Sequence, residues 1–188
     1  IASSNEACAT TDESVTQTID LDPFRMNMMS LNIEPFSVDV SSVFGGLDLL
    51  LVKNDDSDYY VPEYGVNQID GFDEREGYKV FLNGAGGQSL SVDGLPVMDI
   101  SLPLDPFRMN VLPYSLNECM PTDIVFAGYE ESLLIVKNDD SDYYVPAYNV
   151  MTLSEMCPGE GYGVFLNGAN GIDFTYPMGG GVARSVSH

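Results

Sequence analysis

The sequence predicts an all-β protein made of two tandem homologous small modules, each a five-stranded barrel or sandwich with at most a short helical turn. Three observations carry this. The chain repeats itself: LDPFRMN at 21–27 returns at 104–110, VKNDDSDYYVP at 52–62 returns unchanged at 136–146, and EGY-VFLNGA begins at Glu76 and again at Glu160. The first block is offset by 83 residues (Leu21 to Leu104) and the other two by 84 (Val52 to Val136), so the copies differ by one inserted residue between blocks. Self-similarity at a fixed period marks a tandem duplication. Within each copy, β-branched and aromatic runs alternate with clusters of Asn, Asp, Gly and Pro, which is the spacing of short strands and tight turns. Helical periodicity is confined to a few residues per copy.

The elements follow in order. Residues 1–18 form a polar segment that would be ordered only by adding a strand; copy one covers 19–98, copy two 99–178, and 179–188 is expected to be a flexible tail. An apolar stretch follows each FRMN block, at 26–33 and 109–116, and 38–44 and 122–127 each suit one helical turn. LDLLLVKN and YYVP, joined by DDSD, predict a hairpin. GYKVFLN and QSLSV predict a second one around Asn83-Gly84, because Asn-Gly adopts the positive φ angles of tight turns; copy two offers GYGVFLN, Asn167-Gly168 and IDFTY. The linker is placed at 94–103, where Leu95, Val97, Met98, Ile100 and Leu102 predict modules that pack together.

Composition narrows the function classes. Against 29 acidic residues stand 7 basic ones and a single histidine, for a net charge of -22. Such a field repels phosphate backbones, which argues against nucleic acid as a partner. With 44% hydrophobic and 11% aromatic residues the chain can still form packed cores. The longest apolar run, around 47–52, is far short of the roughly 20 residues that a helix needs to cross a bilayer. A start at Ile1 without a basic and apolar leader suits a mature secreted or trimmed chain, and the acidity suits an extracellular or saline setting.

Cys119 and Cys157 both lie in copy two, opposite non-cysteine positions of copy one. A disulfide between them, or two separate buried thiols, would account for the pair. Cys8 is then the odd one, free or joined to another chain.

With these residues on the page, a resemblance can be stated. An apolar strand, then VKN, Y-V-P, a further aromatic with Gly, and EGY-V resemble the WNLIS, VKN, YWP and GY-V pattern of repeat modules in large secreted and surface-attached bacterial proteins. The chain departs from that pattern in having no tryptophan: Met26 and Met109 stand at the first aromatic position, Tyr60 and Tyr144 near the second. The resemblance implies a secreted or surface interaction module and no established activity.

Candidate site residues are of four kinds. Asn54, Asp56 and Asp58, with Asn138, Asp140 and Asp142, have the alternating oxygen spacing that opens calcium loops. The remainder of such a loop is missing, since Tyr59 stands where the turn needs Gly and Gly65 and Asn149 where a bidentate Glu belongs; the plainer account is a solvated tip whose Asx side chains bond their own backbone. Tyr59, Tyr60, Tyr64, Tyr143, Tyr144 and Tyr148 are candidate ligand-binding residues if they point outward, able to stack on sugars or anchor a protein, and otherwise core. Arg25 with Arg108 and Lys53 with Lys137 recur in register and read as structural, each arginine meeting Asp22 or another acidic side chain and its counterpart likewise. For catalysis, His188 sits in the tail and offers no credible base, so no catalytic residue is assigned; Glu76 and Glu160 are the best general-acid candidates among many chance pairs. The expectation is a non-enzymatic, secreted structural or adhesive module without cofactor, binding a protein or glycan surface; a carbohydrate-binding module is the alternative and a calcium-stabilised domain the third.

Overall fold

The computed structural model describes residues 13–97 and 101–177; Cys8, the tail 179–188 and the centre of the linker lie outside them. Copy one contains β1 (Val15–Leu21), β2 (Met26–Met29), β3 (Ile33–Pro35), α1 (Val40–Val43), β4 (Leu49–Lys53), β5 (Tyr59–Val61), β6 (Val66–Asn67), β7 (Tyr78–Leu82) and β8 (Gln88–Pro96). Copy two contains β9 (Ser101–Leu104), β10 (Met109–Pro113), β11 (Met120–Pro121), α2 (Thr122–Val125), β12 (Leu133–Lys137), β13 (Tyr143–Val145), β14 (Val150–Met151), β15 (Glu155–Met156), β16 (Gly161–Leu166) and β17 (Ile172–Thr175). The fold is all-β, with one short α-helix per copy where each was expected.

Each copy has an open five-stranded antiparallel sheet, in the order β2-β7-β4-β5-β6 and β10-β16-β12-β13-β14. No sheet closes on itself, so the barrel alternative is not realised. The predicted tip hairpins are present as β4-β5 and β12-β13. The second predicted hairpin is not. β7 pairs with β2 and β4, whereas β8 leaves for a separate sheet with β1 and β3. Copy two does the same, β17 pairing with β9 instead of β16. The Gly-rich stretches carry the chain between sheets, because burying the apolar faces of both strands needs a second layer that a flat hairpin would not supply. The linker is also shorter than expected: Gly94–Pro96 belongs to β8 and Ser101–Leu104 is β9.

Alternation along the strands builds two cores. In β7, Tyr78, Val80 and Leu82 face inward, joining Leu31, Phe44, Val52 and Phe72. Leu112, Tyr114, Phe126, Tyr162, Val164 and Phe174 form the second core. A buried phenol needs a partner, and Tyr78 Oη accepts from the Asp73 amide at 2.8 Å while Tyr162 Oη accepts from the Cys157 amide at 2.7 Å. Cys119 and Cys157 form a disulfide. It lies beside the short β11-β15 ladder, which pairs Met120 with Met156.

Candidate functional site: a reciprocal clasp and exposed aromatic tips

The DPFRMN blocks fold into identical turns for one local reason. Asn27 is buried, and its Oδ1 accepts from the Asp22 amide at 2.8 Å while its Nδ2 donates to the carbonyls of Asp22 at 3.0 Å and Val80 at 3.2 Å. Asn110 repeats the set with Asp105 and Val164 at 2.8, 3.0 and 3.2 Å. The side-chain amide thus does from inside the turn what a backbone ladder would do elsewhere.

Each turn sends its arginine to the other copy. Arg25 pairs with Asp139 at 3.1 Å and with Asp140, besides Asp22 of its own copy at 3.3 Å. Arg108 pairs with Asp55 at 3.1 Å and Asp56 at 3.2 Å, besides Asp105 at 3.5 Å. The same carboxylates reach one step further: Asp139 accepts from the Met28 amide at 2.9 Å, and Asp55 from the Val111 amide at 3.0 Å. Contact i-to-j is therefore matched by its counterpart j-to-i, the arrangement of an isologous interface, here inside one chain. Hydrogen bonding to Asp140 and the surrounding carboxylates raise the Arg25 pKa further. Burial lifts the Asp55 carboxyl despite Arg108 beside it.

Backbone contacts seal the seam. The Gly77 amide donates to the Val111 carbonyl at 2.9 Å, and the Ser30 amide to that of Gly159 at 3.1 Å. A Cβ on Gly77 would lie 2.8 Å from that Val111 oxygen, and one on Gly161 3.0 Å from the Met29 oxygen, so glycine precedes Tyr in both EGY blocks because the copies touch there.

These placements sort the candidates. In the DDSD tips, Asn54 Oδ1 accepts from the Asp58 amide at 2.9 Å and Asn138 Oδ1 from the Asp140 and Asp142 amides at 3.1 and 2.9 Å, as Asx turns do. Asp56 and Asp140 face the arginines. Among the described residues, the group of three His, Cys, Asp or Glu that comes within coordination reach is Cys119, Glu155 and Cys157, whose cysteines are already joined. Tyr144 is buried in the second core and Tyr60 packs against the first, which corrects their place among outward-facing residues; on β5 and β13 alternation turns them inward and leaves Tyr59 and Tyr143 out. Tyr64 and Tyr148 are 73% and 78% exposed.

Glu76 and Glu160 stand beside the clasps. Glu76 lines a cleft of about 350 Å³ with Asp55, Asp73 and Arg108, where burial and then the charges of Asp73, Asp56 and Asp55 push its pKa up to about 7. Burial also raises Glu160, opposed by the phenol of Tyr162, which donates to it. Burial leads in both, and the carboxylates gathered to hold the arginines add to it.

Sequence reasoning missed Phe24 and Phe107. They are 75% and 73% exposed and take left-handed φ values of 61° and 62°. Their exact repetition between Pro and Arg was the available signal, but no propensity rule places a bulky aromatic in that conformation. Compared with protein-family models, curated proteins and solved structures, the chain matches none.

Proposed function

We propose that this chain is a non-catalytic, rigid two-headed interaction module of a secreted or surface-attached protein, akin to the bacterial repeat modules it resembles, presenting duplicated aromatic tips to a repetitive partner. The observation that carries the reading is the pair Phe24 and Phe107. A left-handed backbone strains any bulky L-residue, and a side chain three-quarters exposed returns little burial energy for it. Such a combination, present twice, is what a contact residue needs and a core residue does not. The clasp supplies the rest, because two weak sites held at fixed separation gain avidity on a repetitive ligand without any new contact. Asn54 and Asn138 use their side-chain oxygens in Asx turns, and Asp56 and Asp140 theirs on the arginines, which leaves a calcium ion fewer ligands at the tips.

The test is interferometry of the whole chain against immobilised extracellular-matrix proteins at high and low density. The Phe24→Ser and Phe107→Ser variants should each weaken binding on dense surfaces, and the double variant should abolish it. Undiminished binding by the double variant would overturn the reading. A saccharide reading is the second, favoured by Tyr143, which lines a cleft with Asn138 and Ser141.

A further inference from the structure

Three of the seven basic residues converge at the junction of the two copies. Lys53 on β4 and Lys79 on β7 are direct register partners, so their side chains leave one face of the sheet roughly 5 Å apart at the base. Lys79 and Lys137 line a cleft of about 540 Å³ together with Met26, Ile135 and Tyr143. Burial, then the charge of Lys53, hold Lys79 below the ordinary lysine value, with Asp55 opposing and Lys137 adding a smaller push.

What is unusual is that these lysines stand outside the ion pairs. In a chain with 29 acidic residues, the ion pairs among the described residues all belong to Arg25 and Arg108, and none reaches a lysine. The carboxylates nearest the cleft, Asp55 and Asp139, are engaged by those arginines and by the Val111 and Met28 amides. Lys53 instead sits 5.4 Å from the Tyr59 ring centre. Like charges brought together and partly desolvated are unfavourable unless something neutralises them. The space also exceeds what a bare oxyanion fills, and Tyr143, Met26 and Ile135 share its walls with the paired Arg25 and Asp139.

We propose that this cleft binds the anionic group of an acidic saccharide, a carboxylate or sulfate ester held by Lys79 and Lys137 with Lys53 behind them, while Tyr143 and Met26 pack against the sugar ring. The inference extends the saccharide reading and does not involve Phe24 or Phe107, so its failure leaves the tip-mediated function standing. The competing account is that the lysines lay their stems over the seam, as Lys137 does over Gly163.

Titration calorimetry of the whole chain with an oligogalacturonate, a sulfated oligosaccharide of equal length, a neutral oligosaccharide and inorganic sulfate decides between them, and the first two arms separate carboxylate from sulfate ester. An anionic oligosaccharide should bind at least about tenfold more tightly than the neutral one, and Lys79→Gln with Lys137→Gln should remove about tenfold or more. Phe24→Ser with Phe107→Ser should change nothing. Should the glutamine variant melt early, Lys79→Arg with Lys137→Arg keeps the charges and should restore binding. Equal affinity for the neutral sugar, no binding of either anionic one, or full binding by the glutamine variant would each overturn the proposal.

Discussion

Phe24 and Phe107 show how a residue can be locally unfavourable and still be kept. At φ values near 60° a glycine would sit without strain, and neither ring is buried enough to compensate. Phe24→Gly together with Phe107→Gly should therefore leave the protein as stable or raise its unfolding free energy by about 1 kcal/mol per site, read by urea titration, while surface binding is lost. A fall in stability would mean that the rings pack in a way their exposure hides. Glu76 makes the opposite kind of residue-scale statement. Its folded pKa of about 7 lies above the ordinary glutamate value of 4.5, so the folded state binds the proton more tightly. That contribution is fully present at pH 4 and is lost as pH rises from about 4.5 through 7. The melting temperature of the parent should fall across that window relative to that of Glu76→Gln.

At the scale of elements, the hairpin at the DDSD tip was legible because its turn chemistry and its strand pattern agree. The β7-β8 connection was not. An Asn-Gly pair between two β-like runs reads as a hairpin, yet both runs bury apolar residues on more than one neighbour, and the ladders that achieve this are β2-β7-β4 and β1-β8-β3. Local turn preference is worth about 1 kcal/mol, against several for the buried side chains of each strand. Copy two adds a covalent element. Its disulfide spans 38 residues, a loop whose closure removes about 3–4 kcal/mol of denatured-state entropy. Reduction should lower the unfolding temperature of the clasped molecule, and hydrogen exchange should show β10, β12 and β16 losing protection together with β4 and β7.

For the whole molecule, the reciprocal clasp decides whether two modules behave as one body. Arg25 and Arg108 are each about two-thirds buried and face three carboxylates, two of them on the other copy. Removing either arginine leaves Asp139 or Asp55 partly buried without its counter-ion, at about 1–3 kcal/mol. Arg25→Ala with Arg108→Ala should split a single calorimetric transition into two, one for each copy, and the disulfide-bearing copy should melt later. A single transition in that variant would assign the coupling to the backbone seam of Gly77 with Val111 and Ser30 with Gly159 instead.

Repetition, strand pattern, the short helices, the pair Cys119 and Cys157, and the structural use of Arg25 and Arg108 are all readable from the chain, because each depends on neighbours in sequence or on chemistry that a residue carries with it. The partners of those arginines are not readable. Asp22 is three residues from Arg25 and was foreseeable, whereas Asp139 and Asp140 arrive only when two copies are folded and turned toward each other. The same holds for Tyr60 and Tyr144, whose inward direction is set by strand register, and for Lys79, which meets Lys53, Asp55 and Lys137 only in the folded chain. Sequence determines what each module is, since a module's elements are built from local preference and alternation; tertiary structure decides what the two modules do to one another, since that rests on contacts between residues far apart in the chain.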